Sequence, residues 1–262
     1  KSIFDALIVA VGHKQYREFS AKELRKLCKG KKPVIVKKFY HDHKDEHRLI
    51  KKYYNFLILN KNRLEAIKGA EKENFDCVIL DDGFQDHNIH KNLNILCFNQ
   101  RQLIGNGFTF PAGPLRENIN SLKKAQIIII NGNKDSDFEK KILSINSKVE
   151  IFYSKYKINN VDKFKKKKIL ALAGIGNPEN FFQTLRDNFL DIKKHITFPD
   201  HYDFKRKDIL KIIEIAKEDN YQILMTEKDY MRIEDFKFNE IDYVKVDLEI
   251  INKEKLLSKI ME

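Results

Sequence analysis

Cys77-Val78-Ile79-Leu80-Asp81-Asp82-Gly83-Phe84-Gln85 is an apolar run that stops on two carboxylates and a glycine. Four apolar residues bounded by turn-forming types predict a strand buried on both faces, as in a parallel sheet covered by helices. A carboxylate delivered to the carboxyl edge of such a sheet is how phosphoryl-transfer enzymes hold Mg²⁺ beside nucleotide phosphates, because a strand fixes it more rigidly than a loop does. The stretch therefore predicts an α/β fold with phosphate chemistry at Asp81 and Asp82. The usual partner, a glycine-rich loop ending in Gly-Lys-Thr or Gly-Lys-Ser, occurs nowhere in the chain.

Working outward, short β-type runs alternate with helical spacing, the pattern of βαβ units. Ala6 to Val11, Pro33 to Val36, Asn94 to Phe98 and Gln126 to Ile130 read as further strands. Ala21 to Cys28 and Arg63 to Lys72 have helical spacing, with Ser20 and Asn62 as N-caps. Lys37 to Lys52 and Val161 to Lys168 are basic, polar runs, and the second reads as a domain boundary. After it the pattern restarts: strand Ile169 to Ala173, helix Pro178 to Asp187, strand Ile192 to Phe198, helix Lys205 to Lys217, strands Tyr221 to Met225 and Asp242 to Val246, and a closing helix near Lys253 to Ile260. The expected division is a core over 1–164 and a smaller α/β subdomain over 165–262. No 20- to 50-residue period recurs, which argues against a repeat array.

At 262 residues and 42% hydrophobic content the chain can bury a sizeable core. Its formal charge of +12 suits phosphorylated small molecules, anionic membrane surfaces or nucleic acid, or simply reflects lysine-rich composition. Three widely spaced cysteines, Cys28, Cys77 and Cys97, read as buried thiols of a reducing compartment. His41, His43 and His47 lie close in sequence, without the spacing of a metal site. The longest apolar stretches are far shorter than a membrane span.

Other clusters could carry chemistry. Gly174-Ile175-Gly176-Asn177-Pro178 follows a strand and opens a helix, so its amides could hold a phosphate or form a plain tight turn. Phe108 to Glu117, with Pro111-Ala112-Gly113-Pro114, is neither helix nor central strand. It ends in Arg116, suited to gripping phosphate, and Glu117, suited to metal or hydroxyl; a surface ion pair is the alternative. Asp200-His201 lies beyond a predicted strand, where a carboxylate can orient an imidazole. Asp45-Glu46 precede a helical stretch, which alone would explain two carboxylates.

Taken in order, Asp45-Glu46, Asp81 to Gln85, Pro111 to Glu117, Gly174 to Pro178, Phe198-Pro199-Asp200-His201 and Thr226-Glu227-Lys228-Asp229 resemble the motifs of the tetraacyldisaccharide 4'-kinase (lipid A 4'-kinase) family. The resemblance runs from about Val34 to the C-terminus. It implies a P-loop NTPase-like, mostly parallel sheet flanked by helices. It also implies transfer of phosphate from ATP, with Mg²⁺, to the 4'-hydroxyl of an acylated disaccharide 1-phosphate lipid. The expected place is the cytoplasmic face of the bacterial inner membrane, against an anionic membrane surface and with no nucleic-acid partner. By the same resemblance Asp45 and His201 are catalytic, Asp45 taking the hydroxyl proton with His201 tuning it. Glu46, Asp81 and Asp82 surround the metal, and Gln85, Arg116 and Glu117 line the reacting groups.

The chain departs from that pattern at three points. Lys44 and His47 replace the glycine and proline usual around the acidic pair, and the strand Leu7 to Val11 is followed by Gly12-His13-Lys14-Gln15-Tyr16 rather than a phosphate loop. Residues 1–36 instead resemble the C-terminal domain of UDP-sugar dehydrogenases, with Phe4 to His13 and Pro33 to Val36 carrying the likeness. Without the loop's lysine and hydroxyl, turnover is expected to fall on the order of 10³-fold or more. The alternative is a non-catalytic binding module for lipid A precursor headgroups or nucleotide sugars.

Overall fold

The computed structural model describes residues 5–10, 33–38, 44–200 and 202–261, with only the backbone of 5–10, 44–46 and 261. The helix expected over Ala21 to Cys28 and its Ser20 cap lie outside the described residues. The elements in chain order are β1 (Asp5–Ala10), β2 (Pro33–Lys38), α1 (Lys44–Tyr53), β3 (Leu57–Asn60), α2 (Arg63–Lys72), β4 (Cys77–Leu80), β5 (Leu93–Asn99), β6 (Ile127–Asn131), α3 (Ser136–Ile145) and β7 (Glu150–Ile158). They continue with β8 (Lys168–Ala173), α4 (Pro178–Asp187), β9 (Asp191–Thr197), α5 (Arg206–Glu218), β10 (Gln222–Thr226), α6 (Glu227–Ile233), β11 (Ile241–Val244), β12 (Val246–Ile250) and α7 (Lys253–Met261).

The larger sheet runs β12-β7-β6-β5-β1-β4-β2-β3, and β4 sits inside it, parallel to β1 on one side and β2 on the other. Every residue of β4 is buried, as its apolar run predicts for a strand covered on both faces. Val34, Val36, Val78 and Leu80 pack with Ala66, Ala70 and Phe75 in one apolar layer, so α2 closes that face of β2 and β4. Phe138 and Ile142 of α3 cover Ile128 and Ile130 of β6 in the same way.

The second sheet, β11-β10-β8-β9, is wholly parallel. Strand β8 shows the side-chain period of two directly. Ile169, Ala171 and Ala173 meet Phe181, Phe182 and Leu185 of α4, whereas Leu170 and Leu172 meet Ile209, Ile212, Ile213 and Ala216 of α5. Helices on both faces make this a three-layer α/β unit, and each fully buried Ile or Leu contributes about 1.5–3 kcal/mol.

Two compact units result. One holds β1, β2, residues Ile50–Lys155 and those from Leu248 onward; the other holds the part of α1 up to Leu49 and Tyr156–Asp247. Several elements escape the sequence pattern. Strands β3 and β7 and helices α3 and α6 were not expected, and the single strand read over Asp242 to Val246 divides at Lys245 into β11 and the start of β12, which joins the larger sheet. Cys77 is disulfide-bonded, against the expectation of a buried thiol, since wide sequence spacing sets no limit on which cysteines folding brings together. Among the described residues no helix is long and apolar enough to cross a membrane.

Candidate active site

The site is built where β4 ends beside the last residues of β2. Val36 is in register with Leu80, and the Asp81 amide donates to the Val36 carbonyl at 3.0 Å, so Asp81 leaves the sheet beside Lys37, which is still in β2 and paired with Leu59 of β3. Both side chains are buried, and Lys37 Nζ donates to Asp81 Oδ2 in a close ion pair. The other oxygen, Asp81 Oδ1, is buried with no hydrogen-bond partner among the described residues. A carboxylate oxygen in that position is under-coordinated, which suits a cation arriving with its own ligands.

The turn after β4 is shaped by steric demands. Asp82 adopts a left-handed φ of 54°, which Asp tolerates better than most residues. At Gly83 an added Cβ would lie 2.6 Å from Leu80 Cβ, so only glycine lets the backbone fold back on the strand. Two cations then hold the turn through its carbonyls. Arg63, the first residue of α2, donates from Nη2 to Asp81 O at 2.5 Å and to Asp82 O at 3.0 Å, and its Nη1 lies 3.4 Å from Asp86 Oδ2. Lys91 Nζ donates to Gly83 O at 3.0 Å, Phe84 O at 2.9 Å and Asp86 O at 2.7 Å, which uses all three of its donors. Burial holds the Lys91 ammonium below its ordinary pKa, against the opposing charge of Asp86.

The prolyl-glycyl segment supplies the rest of this cluster. Arg116 Nη1 donates to both carboxylate oxygens of Asp82, which ties that segment to the strand end. Glu117 accepts from Ser121 Oγ at 2.6 Å, and His87 Nε2 and Lys124 Nζ lie 3.0 Å and 3.7 Å from its two oxygens. Gln85 is half-buried in the same turn, and its carbonyl accepts from the His87 amide. Asp81, Asp82, Gln85, Arg116 and Glu117 therefore form one connected set within the first unit.

The remaining expected residues belong to the second unit. Asp45 and Glu46 fall in the first turn of α1, where acidic residues suit the helix end, but their side chains are outside the described residues. The helix is fixed there by Arg48, which donates to Met231 O at 3.3 Å and to Asp235 Oδ2 at 3.1 Å. His201 lies outside the described residues. Its neighbours are well braced: Phe198, Tyr202 and Phe204 pack ring against ring, with centroids 4.6–5.3 Å apart. Asp200 Oδ2 would lie 2.9 Å from a Cβ added at Gly176.

The Gly174 turn has its amide already engaged. Gly174 N donates to Asp229 Oδ2 at 3.0 Å, Arg232 Nη1 bridges Gly174 O and Asp229 Oδ1 at 2.9 and 3.0 Å, and Thr226 Oγ1 donates to Asp229 Oδ2 at 2.7 Å. The plain tight turn is therefore the better description of Gly174, and Asn177 caps α4 by accepting from the Asn180 amide. Lys37, Arg63 and Lys91 are the residues that sequence reasoning missed. Lys37 was hidden in a basic run, although it directly continues an apolar strand.

A divalent ion suits this set. Mg²⁺ in phosphate-transfer sites is commonly held by one or two carboxylates, with water and phosphate oxygens completing the shell, and Asp81 Oδ1 with Asp82 offers that donor set. Among the described residues no group of three or more His, Cys, Asp or Glu gathers as an all-protein metal cage.

Comparison with known proteins gives the family of the chain. The family described as LpxK, Tetraacyldisaccharide-1-P 4'-kinase, matches residues 28–262. The chain is similar to the tetraacyldisaccharide 4'-kinase of Pelagibacter ubique (strain HTCC1062), 42% identical over 231 residues, which are 87% of this chain and 73% of that protein. It is 35% identical over 210 residues to the tetraacyldisaccharide 4'-kinase of Rickettsia canadensis (strain McKiel), covering 80% of this chain and 64% of that one. Its fold resembles the crystal structure of "apo" form LpxK from Aquifex aeolicus in complex with ATP, with a TM-score of 0.66, 20% identity, and coverage of 98% of this chain and 87% of that one. By sequence match and sheet architecture, the chain belongs to the tetraacyldisaccharide-1-P 4'-kinase family.

Proposed function

We propose that this chain transfers the γ-phosphoryl group of ATP to the 4'-hydroxyl of a tetraacyldisaccharide 1-phosphate, a lipid A precursor, at the cytoplasmic face of the bacterial inner membrane. The observation that carries this reading is the family match across residues 28–262. The buried strand-end carboxylate of Asp81, with one oxygen unpartnered among the described residues, supports it chemically.

In this reading Asp45 accepts the proton of the 4'-hydroxyl, His201 tunes Asp45, and the sugar oxygen bonds to the γ-phosphorus as the bond to ADP breaks. Glu46, Asp81 and Asp82 would hold Mg²⁺, which would supply charge neutralisation on the transferring phosphate. Gln85, Arg116 and Glu117 line the reacting groups, and Arg116, hydrogen-bonded to Asp82, brings a guanidinium to the phosphate side. Turnover is expected on the order of 10³-fold or more below that of a phosphate-loop kinase, because no Gly-Lys-Thr or Gly-Lys-Ser supplies its lysine and hydroxyl.

The test is transfer of label from γ-labelled ATP to the purified disaccharide 1-phosphate, with the new phosphate located on the sugar. Slow, Mg²⁺-dependent 4'-phosphorylation that disappears in Asp45→Ala is the expected result. Label incorporation equal in the parent chain and Asp45→Ala would remove the reading.

A further inference from the structure

Residues 102–115, Gln102-Leu103-Ile104-Gly105-Asn106-Gly107-Phe108-Thr109-Phe110-Pro111-Ala112-Gly113-Pro114-Leu115, contain no Asp, Glu, Lys, Arg or His, in a chain that is 34% charged. Arg101 and Arg116 bound the run on its two sides. Residues 105–112 are all exposed, and two aromatic side chains stand at the tip, Phe108 at 63% and Phe110 at 82% exposure. A lone exposed apolar residue is ordinary, but two phenylalanines on an uncharged loop form a surface that water disfavours.

Much of the backbone of this loop is bonded within the loop, although among the described residues the amides of Ile104, Asn106, Thr109 and Ala112 have no acceptor. Gly105 N donates to Gln102 O at 2.6 Å, Gly107 N to Ile104 O at 2.9 Å, Phe110 N to Leu115 O at 2.8 Å, Gly113 N to Thr109 O at 3.0 Å and Leu115 N to Phe108 O at 3.2 Å. The Asn106 side chain satisfies two more groups, accepting from Phe108 N at 3.2 Å and donating to Ala112 O at 2.8 Å. Pro111 and Pro114 have no amide hydrogen to leave unpaired. A loop in water has no need of such closure, since solvent satisfies its polar groups. A loop entering an apolar phase must supply it internally, because each unsatisfied group costs several kcal/mol there.

We propose that this loop docks into the interfacial layer of an anionic bilayer, with Phe108 and Phe110 among the upper acyl carbons and Arg101 at the level of the headgroup phosphates. The chemistry is that of interfacial anchoring: aromatic rings below the headgroups, and cations complementary to anionic lipid at the base. The net charge of +12 adds long-range attraction in the same direction. The biological purpose rests on the lipid-kinase reading above, because docking here carries Arg116 and the Asp82 pair to the membrane surface, where an acylated substrate resides.

The chain contains no tryptophan, so Phe110→Trp creates a single reporter in the full chain. With vesicles of phosphatidylglycerol and phosphatidylethanolamine, its emission is expected to shift to the blue and to be quenched by brominated acyl chains. Phe108→Ser with Phe110→Ser is expected to weaken vesicle binding about tenfold or more. Transfer to detergent-dispersed disaccharide should stay at the parent level. The proposal is overturned if the double variant binds vesicles like the parent, or if the reporter stays water-exposed on bound vesicles. It is equally overturned if the blue shift needs only higher protein concentration, which would mean a second copy, or only the disaccharide in detergent, which would mean substrate acyl chains. Absence of phosphoryl transfer would count against the kinase reading while leaving the vesicle readout intact.

Discussion

Lys37 and Asp81 are a buried ion pair at the edge of a sheet, and each desolvates the other's surroundings. Such a pair is weak evidence of stability, but removing one partner strands the other charge in a dry site. Lys37→Met is therefore expected to destabilise the fold by about 3–5 kcal/mol. Lys37→Met combined with Asp81→Asn should recover most of that loss, because no isolated charge remains. Urea denaturation of the single and double variants decides it; equal destabilisation of both would show that the pair's charges do not matter. Asp81 and Asp82 were visible in the sequence because an apolar run delivers them. Lys37 was not, because its neighbours Lys38 and Lys44 made a basic run look solvated, and Lys91 carries no sequence signal since its three acceptors are backbone carbonyls.

At the scale of elements, charge contacts determine how neighbouring segments respond to substitution and pH. Asp229 at the start of α6 receives Gly174 N, Thr226 Oγ1 and Arg232, so Asp229→Ala leaves the buried Gly174 amide without its acceptor and removes the carboxylate partner of Arg232. Thermal and urea denaturation should show a loss of about 3 kcal/mol or more, whereas a change within about 0.5 kcal/mol would mean the turn holds without it. Helix α7 bears on β7 through Lys255 and Lys259, which lie 3.1 and 3.3 Å from the Glu150 oxygens. Hydrogen bonding from Lys255, with a further one from Lys259, lowers the Glu150 pKa below 4.5. The folded value is depressed, so the contribution is complete above the unfolded pKa and lost as pH falls through the folded one. Glu150→Gln should accordingly flatten the stability profile below pH 4.5 while changing its slope little near neutrality, as denaturation midpoints across acidic pH would show. Helices α2 and α4 were legible to the residue because Asn62 caps one and Asn177-Pro178 opens the other. Strand β7 was not, since Glu150-Ile151-Phe152-Tyr153-Ser154-Lys155-Tyr156-Lys157-Ile158 mixes apolar and charged residues without clean alternation.

For the whole molecule, the alternation of strand and helix signals foretold a mostly parallel sheet flanked by helices and a second, smaller α/β unit, and the structure has a larger and a smaller sheet. The path of the chain between the units was not foretold. Contact between β7 and β12, and between α1 and the segment around Met231, joins residues far apart in sequence, and no local pattern announces such a return. The site shows the same division. Motif order pointed to candidate residues, while the cations that hold the turn emerged only from geometry. In the proposed reading, the strand end at Asp81 and Asp82 serves a metal–nucleotide complex. Calorimetric titration with Mg²⁺ and ATP tests it most directly. A saturable heat that needs Mg²⁺ and is lost in Asp82→Asn is the predicted result; no heat with Mg·ATP, alongside binding of the acylated disaccharide alone, would contradict it.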